Sequence, residues 1–385
     1  MAAGELSLPD VKPGETRDLE LPRDFSVEML SKANSDGKEI VWSISLKLRS
    51  PTRWADAGHE IAWAQHKVES SNVMFLENVE GDPDRMLKCR ESATMTTISG
   101  LDFQATFDRA RGHLAKWQVG GEVILEADPK SHASLIPGYY RPFTDNDKPN
   151  ALVQWRRWGV DVMKCRLVKF AHRSDKSGDV IVDVTQEFSP PSLAWTITCD
   201  IQYRVYSSGD IKVSVKGEPD GVLPPDIPRI GLDVHASKDL DQVHWFGLGP
   251  GESYPDKKAS QRIGVFSAES LADLYTPYDV PQEYGNRMDT RWVTFTGSHR
   301  QGRGFRASRI DGDDTKHFSF VAKKHSDQTI DAAKHPQDLV EEDATLIRLD
   351  AEVAGVGTGA CGPAVREDLK VKVKGFDFTF MLERL

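Results

Sequence analysis

The sequence predicts an all-β protein whose antiparallel sheets pack face to face, on three observations. Apolar and polar residues alternate with period two through segments rich in Val, Ile and Thr, and turn-forming clusters separate those segments at hairpin spacing. The one stretch with a helical pattern, Asp327 to Glu342, is interrupted by Pro336.

Glu39 to Leu48 (EIVWSISLKL) opens the series, and Asp179 to Phe188, Leu193 to Tyr206 and Asp210 to Glu218 continue it. Each reads as a strand with one buried face. The turns are signalled by Asp36-Gly37, Gly120-Gly121, Ser207 to Asp210 and Asp311-Gly312-Asp313. A boundary falls near residue 70. Residues 1–70 supply about three or four strands, whereas an immunoglobulin-like sandwich needs about seven, so this module reads as part of one. Residues 72–385 run without a Pro/Gly/Ser linker and read as one large sandwich, with no internal repeat.

At 385 residues and 39% hydrophobic content the chain can bury a sizeable core. Its formal charge of −10, with Lys and Arg scattered, argues against a nucleic-acid or anionic-membrane surface. Cys89, Cys165, Cys199 and Cys361 stand far apart, so neither a zinc site nor a disulfide framework is expected, and buried thiols are. No apolar run has membrane-spanning length and no basic-then-apolar leader opens the chain, so a cytoplasmic protein is the default. No cofactor motif or metal spacing stands out.

Six stretches then occur in one order: Phe107 to Leu125, Tyr139 to Asp147 (YYRPFTDND), Leu223 to Val234, Trp245 to Ser260 (WFGLGPGESYPDKKAS), Tyr275 to Val293 (YTPYDVPQEYGNRMDTRWV) and Gly355 to Pro363. Together they resemble the small-chain, C-terminal region of glycoside hydrolase family 2 β-galactosidases, over about residues 72 to 385. Trp54 to Gln65 resembles the end of the immunoglobulin-like domain that precedes it. The resemblance implies a galactose mutarotase-like supersandwich. It also implies that the two glutamates that cleave the glycoside, about 5 Å apart in a retaining enzyme, sit on a (β/α)₈ barrel preceding these domains. No strand and helix alternation of that kind appears here. A chain that begins inside a sandwich would also leave sheet edges in need of a partner.

The candidate residues lie in three of these stretches. In the loop after Trp245, Gly247, Gly249, Gly251, Pro250 and Pro255 restrict the backbone, so Glu252, Tyr254 and Asp256 are held in fixed directions. These carboxylates either bind sugar hydroxyls or accept from backbone N–H groups and arginines such as Arg262. Arg141 is the ligand candidate of its segment, whereas Asp145 and Asp147 with Asn146 suit an Asx-type turn or a sugar grip. Glu283, Asn286, Arg287, Asp289 and Arg291, with Trp292, read as an alternating row, either an internal salt-bridge ladder or the polar floor of a cleft. The expected substrate contacts are therefore Arg141, Asp145, Asn146, Glu252, Glu283, Asn286 and Arg291, with no catalytic or metal-ligating residue. The histidines match no epimerase motif; His132 and His299 are the first choices in loops.

Three functions follow from the resemblance. The leading one is a β-galactosidase small-chain component that shapes the galactoside cleft and needs a barrel-bearing large chain or an oligomer for hydrolysis. The others are a free-standing carbohydrate-binding module and an aldose-epimerase-like enzyme using its own concave face.

Overall fold

A computed structural model describes residues 4–20, 39–68, 86–297, 302–310, 317–358 and 364–385. The turns at Asp36-Gly37 and Asp311-Gly312-Asp313, the boundary near residue 70, Cys361 and His299 lie outside the described residues. The chain divides into two compact units, Met1–Leu76 and Glu77–Leu385.

In the first unit Ile40–Lys47 and Glu60–Val68 pair antiparallel, with Trp42 opposite His66 and Ser45 opposite Trp63. The second unit holds two large sheets. One has nine strands, in the order Arg262–Ala268, Gln242–Gly249, Trp292–Thr296, Gly304–Arg309, Phe376–Arg384, Ile211–Gly221, Trp195–Val205, Val180–Ser189 and Lys164–Ser174. The other has ten. It runs Arg287–Thr290, Phe318–Lys323, Ala344–Val353, Arg229–Ser237, Glu122–Glu126, His113–Val119, Phe103–Asp108, Met95–Ser99 and Lys88–Glu91, with Leu135–Gly138 pairing both Arg229–Ser237 and His113–Val119. The pairings are antiparallel throughout, for example Asp200 opposite Lys216 and Asp233 opposite Arg348.

The inner faces meet through aromatic rings. Trp117 and Phe107 of the ten-stranded sheet lie 6.2 and 5.2 Å from Phe305 and Tyr203 of the nine-stranded one, both edge to face. Such T-shaped contacts add specific geometry to the burial of large apolar surface. The result is the all-β architecture of antiparallel sheets that the alternation implied, in the large supersandwich form that the resemblance implied.

Two expectations are corrected. Only Asp327–Ala332 of the predicted helical stretch is α-helical, capped by Ser326 Oγ, which accepts from the Thr329 N–H at 3.3 Å. A second short helix, Ala151–Arg157, shows no sequence signal because seven residues barely complete two turns. Among the thiols, Cys199 is buried and Cys165 partly so, and burial pushes both up to about 12, but Cys89 is exposed on a short edge strand. Among the described residues no helix is long and apolar enough to cross a membrane.

Candidate functional site

The site is a layer of loops over one end of the ten-stranded sheet, where four of the sequence stretches meet: residues 139–147, 250–257, 275–287 and 354–358. The strand that leads into the loop after Gly249 runs close against Thr290 at Gly247. A side chain at Gly247 would put its Cβ 2.9 Å from the Thr290 backbone, so only glycine fits.

Glu252 is 5% exposed and fully engaged. It accepts from the Gly285 N–H at 2.8 Å, from Lys257 Nζ at 2.5 Å and from the Tyr278 hydroxyl. Burial would raise its carboxyl, but these donors outweigh burial and hold it below the usual carboxylate range. Gly285 can present that N–H because its φ is +81°, a left-handed value glycine adopts without strain.

Asp256 is the acceptor for three consecutive backbone N–H groups, of Val356, Gly357 and Thr358, at 2.9, 2.9 and 2.8 Å, and for Thr358 Oγ1 at 2.6 Å. Burial again opposes ionisation, and the Thr358 hydroxyl and the three N–H groups overcome it, lowering its pKa. The donors to both carboxylates are a lysine, hydroxyls and backbone N–H groups; of the two kinds of internal donor expected from sequence, the backbone groups serve and an arginine does not.

Arg141 is completely buried. It pairs with Asp147 at 2.8 Å, donates to the carbonyls of Pro142 at 2.8 Å and Gly355 at 3.3 Å, and lies 5.1 Å from the Trp155 ring. Its guanidinium is spent tying the 139–147 segment to residue 355, so the reading of Arg141 as a ligand-facing group is corrected by its enclosure. Asp147 completes the Asx-type turn, accepting from the Thr144 N–H at 2.7 Å and Oγ1 at 3.0 Å. Asn146 donates to the Val356 carbonyl at 3.0 Å. Asp145 is exposed on the rim, bonded to Lys148 at 2.6 Å and Gln282 at 3.2 Å.

The alternating row does not form. Glu283 to Asn286 are loop, the strand begins at Arg287, and Asp289 takes a left-handed φ of 51°, so these side chains share no single face. Glu283 is buried against Arg348 and receives the Tyr254 hydroxyl at 3.2 Å. The Asn286 side chain donates to the Ser253 carbonyl at 2.8 Å while its backbone carbonyl accepts from the Ser253 N–H at 2.7 Å. Arg287 donates to the carbonyls of Gly285, Leu274 and Pro250, and burial lowers its pKa to about 10. Arg291 donates to the Asp289 carbonyl and sits 5.0 Å from the Phe246 ring. The polar floor is thus a set of internal brackets.

Sequence reasoning missed the residues beneath. Arg229, Arg348 and Asp350 are buried on the polar side of the strands Arg229–Ser237 and Ala344–Val353. Arg229 Nε donates to Asp350 Oδ1 at 2.5 Å, and its NH1 reaches Asp233 at 2.8 Å. In sequence these positions look like the solvated half of an alternating strand. Only the covering loops, which no local pattern encodes, make them interior. Beside the layer lies a cleft of about 280 Å³ whose walls include Asn146, Gln154, Trp155, Gly355, Val365 and Lys370. Among the described residues no three His, Cys, Asp or Glu side chains are placed to hold a metal ion.

Comparison with known proteins follows the same segments. Residues 99–382 match the family described as beta galactosidase small chain, and residues 1–69 match beta-galactosidase, domain 4. A beta-galactosidase of Kluyveromyces lactis is 30% identical over 330 residues, 85% of this chain and 30% of that protein. One from Priestia megaterium is 29% identical over 355 residues, 91% of this chain and 31% of that protein. The chain therefore spans about a third of the length of these curated relatives. A solved galactose 1-epimerase of Lactobacillus acidophilus aligns with 78% of this chain and 98% of its own at 9% identity and a TM-score of 0.39.

Proposed function

Because the chain belongs to the beta-galactosidase small-chain family, we propose that it acts in the hydrolysis of terminal β-galactosides as a shaping component rather than as the bond-breaking one. Residues 72–385 wall the sugar cleft and supply assembly contacts. Residues 1–70 are part of an immunoglobulin-like sandwich, and the catalytic carboxylates come from a barrel-bearing large chain or from an oligomer containing one. Its compartment on this reading is the cytoplasm.

The supporting observation is how completely the candidate carboxylates are occupied. A general acid has to hold a proton near neutral pH and be within reach of the glycosidic oxygen. Glu252 and Asp256 are instead held ionised below the ordinary range by three or more donors each. Such groups fix shape well and exchange protons poorly. The exposed rim, with Asp145, Lys257 and Tyr278, is then the part that meets the sugar or the partner.

Mixing the purified chain with a separately produced barrel-bearing large chain should form a complex and restore cleavage of a chromogenic β-galactoside. A large chain that reaches full activity without this chain, and does not associate with it, would contradict the proposal.

A further inference from the structure

The nine-stranded sheet ends in two strands of different character. At one end Lys164–Ser174 pairs on one side only, with Val180–Ser189, through a register shift between Thr185 and Gln186. It carries Lys164, Arg166, Lys169 and Arg173 and no carboxylate. Bulges and basic side chains keep an open strand edge from pairing, and two such strands laid antiparallel set like charges against each other. At the other end Arg262–Ala268 (RIGVFSA) pairs with Gln242–Gly249 without a shift, and its residues from Ile263 to Ala268 include no charge and no proline. Neither protective device appears in it.

The direction of its hydrogen bonds follows from the neighbouring strand. The Phe246 carbonyl accepts from the Arg291 N–H at 2.7 Å and the His244 carbonyl from Thr294 Oγ1 at 3.3 Å, so both residues face the strand Trp292–Thr296. Backbone groups alternate sides along an antiparallel strand, so Val243, Trp245 and Gly247 face the other way and bond Ala268, Phe266 and Gly264. Val265 and Ser267 therefore turn both N–H and C=O away from the sheet. Val265 is 67% exposed and Ser267 is exposed too, and neither backbone has a partner on that side among the described residues.

Charge and register identify the occupant. Arg262 stands at one end of the strand and Glu269 just past the other, and among the described residues Glu269 is bonded only to Gln242, at 3.5 Å. Antiparallel pairing of two copies brings the Arg262 end of each beside the Glu269 end of the other, so the edge complements itself. With the two-fold axis at Phe266, Val265 of each copy lies opposite Ser267 of the other, and every outward N–H and C=O of these residues gains a partner. Phe266, half-buried and 5.4 Å from Trp245, then meets its counterpart at the closer, non-hydrogen-bonded position, where aromatic pairs are stabilising.

We propose that this chain self-associates through the edge of Arg262–Ala268, two copies pairing antiparallel to continue the nine-stranded sheet from one into the other. The pairing involves copies of this chain and no large chain, and its test uses this chain alone, so either reading can fail without the other.

The test is sedimentation of the full chain over a range of concentrations, with amide exchange measured at both ends of the range. A reversible monomer–dimer equilibrium is expected, with slower exchange at Val265 and Ser267 in the dimer. Val265→Lys sets a cation in the middle of the edge, breaks no bond within the fold and should weaken the dimer about tenfold or more. Val265→Pro removes an N–H that points to solvent in the single copy and should weaken it by a similar factor. Unchanged thermal melting would show both variants folded. A chain that stays monomeric throughout, a dimer indifferent to both substitutions, exchange that slows only away from this edge, or association seen only once a large chain is added would each overturn the proposal.

Discussion

The outer face of the nine-stranded sheet and the loop-covered part of the ten-stranded sheet have opposite character. On the nine-stranded sheet a row from Lys169 through Thr185, Asp200 and Lys216 to Asp377 crosses five strands in register, half or fully open to solvent. On the ten-stranded sheet the corresponding positions carry Arg229, Arg348 and Asp350, and the strand Phe318–Lys323 is buried on both faces. Similar alternating sequences thus end in water on one side and in a dry ionic layer on the other. The loops decide which, since the segments around 141–147, 252–257, 283–287 and 355–358 are bonded to one another above that sheet. A solvated polar face asks little of its sequence, whereas a covered one needs a partner for every charge.

Substitutions can break this comparison, and the greatest effect is expected at Arg348. Arg348→Ala leaves Glu283 buried without its cation, and should cost about 3–5 kcal/mol in denaturant or thermal unfolding. A cost below about 1 kcal/mol would mean that the layer is wetter than described.

The interior between the sheets carries the next effect. His113 is 4% exposed, its Nδ1 lies 3.0 Å from Gln186 Nε2, and burial lowers its pKa from 6.5 to about 4. The unfolded chain therefore binds the proton first as pH falls. Stability should drop by up to about 3 kcal/mol between pH 6.5 and 4, and a glutamine at this position should flatten that part of the profile. A variant with the same slope would remove His113 as its source.

Asp256→Ala is expected to cost about 1–3 kcal/mol, because three backbone N–H groups lose their acceptor together. Faster amide exchange at Val356 to Thr358 would locate that loss in the loop. The depressed pKa values of Glu252 and Asp256 add stability that is present above the ordinary carboxylate range and lost as pH falls through their folded values. The smallest effect belongs to the open face. Lys216→Ala removes an exposed pair with Glu218 at 3.2 Å and should stay within about 0.5 kcal/mol. A loss comparable to that of Arg348→Ala would erase the distinction between the faces.

Much of the fold was legible because period two is a local property. The strands Val180–Ser189, Trp195–Val205 and Ile211–Gly221 lie within the segments whose alternation predicted them or within three residues of their ends. The site was legible only in part. The Gly/Pro-rich stretches became closely bonded loops, in which Glu252 and Asp256 are as constrained as their setting implied. What the residues do there depended on contacts from a hundred or more positions away, such as Asp256 with Val356 and Arg141 with Gly355. Arg141 looked like an outward hand and is an inward bracket. The row from Glu283 to Arg291 failed because alternation was assumed through a segment that Gly285 and Asp289 turn out of strand geometry.

The central claim is that this chain shapes a galactoside site and does not break the bond. Its most direct test is the rate at which the purified chain, with no large chain present, cleaves a chromogenic β-galactoside. The account predicts no turnover above buffer alone. Sustained turnover that survives removal of contaminating enzyme and disappears on substituting a carboxylate of this chain would contradict it.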